Sequence, residues 1–140
     1  MIAAIRITGD VNLKGEVRET LKRLRLRRKY SCVVLKESKI NKGMIVRVRD
    51  FIAYGEIKKD VFISLIEKRG QLIDKTKKSD AKKIIEELEK GKKYTELNFK
   101  PFFRLHPPRK GIEAKKHFGV GKGVLGDNKD KINDLIMRML

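Results

Sequence analysis

An α+β fold is what this 140-residue chain predicts, and three features predict it. Through the first 57 residues, apolar patterns alternate in the order strand, helix, strand, helix, strand. Helical periods dominate much of the remaining chain. The hydrophobic content, 40%, is adequate for a real core at a length that buries roughly 68–70% of the unfolded surface. That order builds a small antiparallel sheet with two helices on one face, an α+β sandwich. Residues 1–57 are expected to form this core. Residues 58–140 are expected to form a C-terminal extension with helices and basic loops.

"MIAAIRIT" (1–8) is a strand interrupted by Arg6. From Gly15 to Arg25, Val17, Leu21 and Leu24 recur at helical spacing, with Glu16 and Glu19 near the start and cations at the end, as the helix dipole favours. "SCVVLK" (31–36) is rich in β-branched residues and reads as the second strand. Its lone cysteine, Cys32, reads as a small core residue and excludes an internal disulfide. Met44, Ile45 and Val48 predict a helix over about Gly43 to Asp50, and a third strand follows over Phe51 to Ile57.

In the second half, Asp60 can cap a helix carrying Val61, Phe62, Leu65 and Ile66, with Gly70 ending it. Ser79 can cap another carrying Ala81, Ile84, Ile85 and Leu88, which ends at Gly91. A short aromatic strand precedes Pro107-Pro108, which cannot continue a sheet. "EAKKHFGVGKGVLGDNKD" shows no packing period and is expected to be a loop. Ile132, Leu135, Ile136 and Met139 stripe a final helix.

Charge narrows the function. Lys and Arg number 36 against 18 Asp and Glu, a formal charge of +18. Self-repulsion on that scale opposes compaction and points to an anionic partner. No apolar run nears the roughly 20 residues of a membrane span, and the N-terminus does not read as a signal peptide, so an intracellular soluble protein is expected. Membrane-surface binding would want cations opposite a bulky apolar helix face, whereas these cluster at a helix–strand junction and in loops.

Catalysis finds little support. His106 and His117 are the only histidines, and no Ser, Cys or carboxylate stands at a triad-like spacing from them. Without Cys or acidic company they also make a poor metal site, so neither metal nor cofactor is expected. Gly121, Gly123 and Gly126 formally match G-x-G-x-x-G, but a dinucleotide fold needs a following βαβ unit and only fourteen residues remain. A loop whose backbone can approach phosphates closely is the better functional reading.

Three basic clusters carry the functional expectation. Six of the eight residues from 22 to 29 are cationic: Lys22, Arg23, Arg25, Arg27, Arg28 and Lys29. A helix terminus does not call for so many, and guanidinium forks match phosphate oxygens in a way that solubility alone does not require. The second cluster contains Arg104, His106, Arg109 and Lys110. The third contains Lys115, Lys116, His117 and Lys122. Both lie in segments with too little apolar content to order themselves, a composition that commonly orders against a partner. Loops that mould onto an irregular folded surface suit RNA better than B-DNA. Phe102, Phe103 and Phe118, which flank these segments, are expected to pack rather than stack on bases.

"ETLKRLRLRRKYSCVVLKE" with "INKGMIVRVRDFI", then "YGE", "LIEKRG" and above all "FRLHPPRKG", resemble the large-subunit ribosomal protein thirty family, whose eukaryotic members are called protein seven. The likeness covers most of the chain and is to the long archaeal and eukaryotic form; the missing basic leader before residue 1 points to an archaeal source. It implies a β-α-β-α-β core related to the ferredoxin-like fold with an antiparallel sheet, plus an additional C-terminal helical subdomain. It implies a cytoplasmic, non-enzymatic constituent of the large subunit, bound to rRNA of the 23S type, with 5S rRNA as a further candidate and ribosomal proteins as neighbours. No membrane and no small-molecule substrate enter. Lys42 and Arg47 join the three clusters as expected RNA-binding residues. The alternative is a free-standing basic nucleic-acid chaperone. Two departures stand out: Arg25 replaces a glycine common after the first helix, which argues against a left-handed cap there, and Tyr54 replaces a more usual tryptophan.

Overall fold

The computed structural model describes residues 1–74, 80–112 and 114–140. The first 57 residues contain β1 (Ile2–Arg6), α1 (Gly15–Arg23), β2 (Ser31–Leu35), α2 (Lys39–Arg47) and β3 (Ile52–Glu56). Then come α3 (Lys59–Arg69), α4 (Ala81–Glu89), β4 (Phe103–Arg104), β5 (Ala114–His117), β6 (Gly123–Asp127), a 3-10 turn (Lys129–Lys131) and α5 (Ile132–Met139). The expected core is present, with β1 antiparallel to both β2 and β3, opposite Cys32 at Ile5 and opposite Gly55 at Ala3.

The apolar run Ile2–Ile5 of β1 follows from its place between two cores, which alternate side chains enter. Ile2 and Ala4 face α1 and α2 with Leu21, Leu24, Leu26, Val33, Ile45, Val48 and Ile52. Ala3 and Ile5 face the other way with Cys32, Val34 and Ala53, against Phe62 and Leu65 of α3, Ile84 and Leu88 of α4 and Ile132 and Ile136 of α5. The two helices on one face are thus as expected, and the later helices cover the opposite face. Phe103 packs edge-on between Phe62 (6.5 Å) and Tyr94 (6.4 Å), as a core residue.

The expected loop over the Gly- and Lys-rich segment is corrected. β6 adds to β3 in parallel, Ala53 opposite Gly126, and β5 pairs with β6, giving the sheet order β4-β2-β1-β3-β6-β5. These strands lack a strong local pattern because the neighbouring backbone holds them. Gly123 lets β6 lie against the Lys116 and His117 carbonyls, where a Cβ would collide.

Helix α2 also starts a turn earlier than its apolar spacing suggests. The Ser38 hydroxyl accepts from the Asn41 N–H at 3.1 Å, and this N-cap sets the start at Lys39. Asp60 lies in the first turn of α3 rather than at its cap, which is Lys58. Ser79, expected to cap α4, lies outside the described residues; Asp80 occupies the position before Ala81.

The end of α1 holds the most informative departure. Arg25 has φ +63, so a left-handed cap forms without glycine. The Leu26 N–H donates to the Leu21 carbonyl at 2.9 Å and the Arg25 N–H to the Lys22 carbonyl at 3.0 Å, a Schellman motif. Leu21 and Leu26 are both buried in one cluster, supplying the apolar contact that accompanies this cap. The same bonds recur after α4, where Gly91 occupies the left-handed position at φ +100.

Candidate nucleic-acid interface

The Schellman cap turns the chain so that Leu24 and Leu26 point into the core while Arg25, Arg27 and Arg28 stay exposed. Arg6 then fixes the turn from beneath. It is 2% exposed, and all three guanidinium nitrogens are engaged. Nη1 donates to the Leu26 and Arg27 carbonyls at 3.0 and 2.7 Å. Nε donates to the Thr8 carbonyl, and Nη2 to the Gly9 carbonyl and the Asp10 carboxylate. The hydrogen bond and charge of Arg6 hold the Asp10 carboxyl below its usual range. A charge so buried requires this degree of satisfaction. Arg6 is therefore the residue that the sequence reading missed. In sequence it only interrupts a strand, and no local pattern reveals that its fork gathers carbonyls about twenty residues away.

Tyr30 closes the turn at φ +63, its N–H donating to the Arg6 carbonyl at 2.7 Å. The ammonium of Lys29 lies 4.8 Å from the centre of the Tyr30 ring. Strand β4 sets Arg104 opposite Ser31, beside the turn. The result is an open groove lined by Lys22, Arg23, Arg25, Arg27, Arg28, Ser31, Phe102 and Arg104, with no carboxylate in its lining. The Arg104 guanidinium lies 5.8 Å from the Phe102 ring centre, and Arg23 has an exposed partner in Glu19 at 3.3 Å.

Arg25 also borders a second cleft, with Lys36, Lys92 and Lys93 around Val34, Leu35, Leu88 and Tyr94. These lysines were not singled out from sequence. The available signal, a lysine pair after a helix-ending glycine, is ordinary for a solvated surface.

The remaining expected residues lie elsewhere. His106, Arg109 and Lys110 are exposed on a strap over the end of α5. His106 and Arg109 donate backbone N–H bonds to Met139 and Arg138, and the Arg138 guanidinium donates to the Arg109 and Gly111 carbonyls. Leu105 and Pro108 are buried beneath, so apolar contacts and backbone bonds within the chain hold this segment against α5. Lys115, Lys116 and His117 occupy β5, five strand positions from β4, a separation of roughly 24 Å at ~4.8 Å per strand. His117 Nε2 lies 2.9 Å from Asp50 Oδ1, and Lys122 occupies the adjoining turn at φ +59. Arg47 is exposed at the end of α2, and Lys42 is paired with Glu37.

Burial pushes the Cys32 thiol up to about 12, which keeps it protonated. Among the described residues no group of three or more His, Cys, Asp or Glu could hold a metal ion, and no helix is long and apolar enough to cross a membrane.

Comparison with known proteins agrees with the fold. Residues 2–52 match the family described as ribosomal protein L30p/L7e. Large ribosomal subunit protein uL30 of Methanococcus maripaludis is 38% identical over 152 aligned residues, covering 99% of this chain and 98% of the relative. The uL30 proteins of Archaeoglobus fulgidus and Nanoarchaeum equitans are 37% and 38% identical, over 99% and 100% of this chain and 99% of each relative. On this likeness along the whole chain, the protein belongs to the ribosomal protein L30p/L7e (uL30) family.

Proposed function

We propose that this chain is a structural, non-enzymatic constituent of the large ribosomal subunit in the cytoplasm, and that it binds folded rRNA through the arginine groove. The groove carries this reading: five cations from α1 and its turn meet Arg104 with no carboxylate among them. Phosphates entering it would release counterions, and exposed guanidinium forks would donate N–H bonds to their oxygens two at a time. Arg25, Lys36, Lys92 and Lys93 extend the cationic surface past β2, so a backbone can follow both clefts. The β5 lysines, His117 and Lys122 would contact a second RNA element at the far sheet edge. The strap residues His106, Arg109 and Lys110 would do so near α5. The rRNA is of the 23S type, with 5S rRNA a further candidate, and neighbouring large-subunit proteins complete the surroundings.

Arg27→Ala with Arg28→Ala tests this. Only their backbone carbonyls serve the fold, so the melting temperature should hold. The salt slope of log affinity for folded rRNA should fall by about 1.4–1.8, at ~0.7–0.9 per phosphate contact. A matching loss of stability, or unchanged affinity, would remove the groove from the interface. Equal affinity for unrelated folded RNAs of the same length would favour the chaperone reading instead.

A further inference from the structure

One surface of this strongly basic molecule is acidic, and the RNA-binding reading leaves it unused. At the end of the sheet away from the arginine turn, Glu37, Glu56, Asp127 and Asp130 converge with Lys42 and Lys129 around a groove of about 440 Å³. Four carboxylates against two ammonium groups reverse the chain's overall ratio of 18 to 36. Its floor is apolar: Ile2 and Ile45 are nearly buried, the Tyr54 ring is half-buried, and Val46 remains 53% exposed on α2.

The carboxylates come from separate segments brought together by the fold. Gly55 permits this, since a Cβ there would collide with the Lys129 carbonyl as the 3-10 turn packs on β3. Within the groove Glu37 is taken up by Lys42, and Asp127 caps the Lys129 N–H at 2.9 Å. Glu56 and Asp130 make no ion pair among the described residues, and both are exposed.

We propose that this groove docks a cationic, partly aliphatic peptide segment of another protein. Lysine or arginine side chains of that segment pair with Glu56 and Asp130, and an aliphatic side chain between them covers Val46 and the Tyr54 ring. Charge complementarity selects this occupant. RNA phosphates would meet net negative charge here, and an acidic peptide would be repelled by the same groups. The groove is at the small end of the size range for binding pockets, which suits one or two side chains from an extended segment.

The test is an amide-resonance titration of the whole protein with a synthetic peptide of alternating lysine and leucine, and with a glutamate–leucine control. Shifts confined to residues around Val46, Tyr54–Glu56 and Asp127–Asp130 are expected with the lysine peptide alone. Glu56→Lys with Asp130→Lys should weaken binding tenfold or more at an unchanged melting temperature, and Val46→Ser should weaken it severalfold. Shifts spread over the whole surface, or affinity unaffected by the charge reversal, would overturn the proposal. So would a folded RNA fragment that moves these resonances and competes with the peptide for them. If the double variant does not fold, Val46→Ser and the glutamate control decide alone.

Discussion

Replacing Arg25 by glycine should separate two roles that the arginine combines. Its backbone at φ +63 completes the cap of α1, whereas its side chain is exposed and lines both cationic clefts. A non-glycine residue in the left-handed region costs about 1–2 kcal/mol. Glycine recovers that, less about 0.4–1 kcal/mol for the extra freedom it gives the unfolded chain. The net gain is about 0–1.6 kcal/mol, centred near 0.8, a rise of roughly 2–3 °C in melting temperature at the centre and up to about 5 °C at this size. Gly91, with the same two bonds after α4, shows that the motif accepts glycine. RNA binding should move the other way, with the salt slope falling by about 0.7–0.9 as one cation is lost. Thermal denaturation by circular dichroism and RNA titrations at several salt concentrations measure both effects. Arg25→Ala is the control: it keeps the strain, so it should lose the same RNA affinity at an unchanged melting temperature. A fall in stability for Arg25→Gly, or an equal rise for Arg25→Ala, would refute the strain account.

Arg6→Ala should destabilise the fold by about 3–5 kcal/mol, since it leaves the Thr8, Gly9, Leu26 and Arg27 carbonyls without their donor; denaturant unfolding measures this. Leu24→Ala, at a position 3% exposed, should cost about 2–5 kcal/mol in the same assay. Burial raises the Tyr94 hydroxyl above its ordinary 10.0, with the Cys32 charge adding to the shift. Because the folded value is the higher one, the stability it contributes is whole below pH 10 and is lost as pH rises beyond it. Tyr94→Phe should therefore flatten the alkaline loss of stability. It should also cost about 0.5–1.5 kcal/mol at neutral pH through its 2.9 Å bond to the Val34 carbonyl. Cys32 should resist alkylation at pH 8 in the folded protein and react at the rate of unfolding, which thiol labelling in a denaturant series can follow.

The parts of the fold legible in the sequence are those stabilised by local pattern. α1 and α5 show their stripes, β2 its β-branched run, and α4 its terminating glycine. β5 and β6 were invisible because β6 pairs with β3, some seventy residues away, β5 is held in turn by β6, and their glycines and lysines resemble a loop's. The site divides in the same way. A density of arginine at residues 23–28 can be read directly, but its convergence with Arg104 depends on β4 pairing with β2. Lys42 illustrates the converse, since its charge is legible in the sequence while its pairing with Glu37 depends on the fold.

The most direct test of the central claim is sedimentation of cell extract on sucrose gradients at moderate and high salt, comparing the native chain with the Arg27→Ala, Arg28→Ala variant. The native chain should travel with the large subunit and leave it only at high salt, and the variant should leave at lower salt. A native chain that stays in the soluble fraction at both salts would contradict the ribosomal reading. If both proteins were instead released at the same salt, the arginine groove would not be what holds the chain to rRNA.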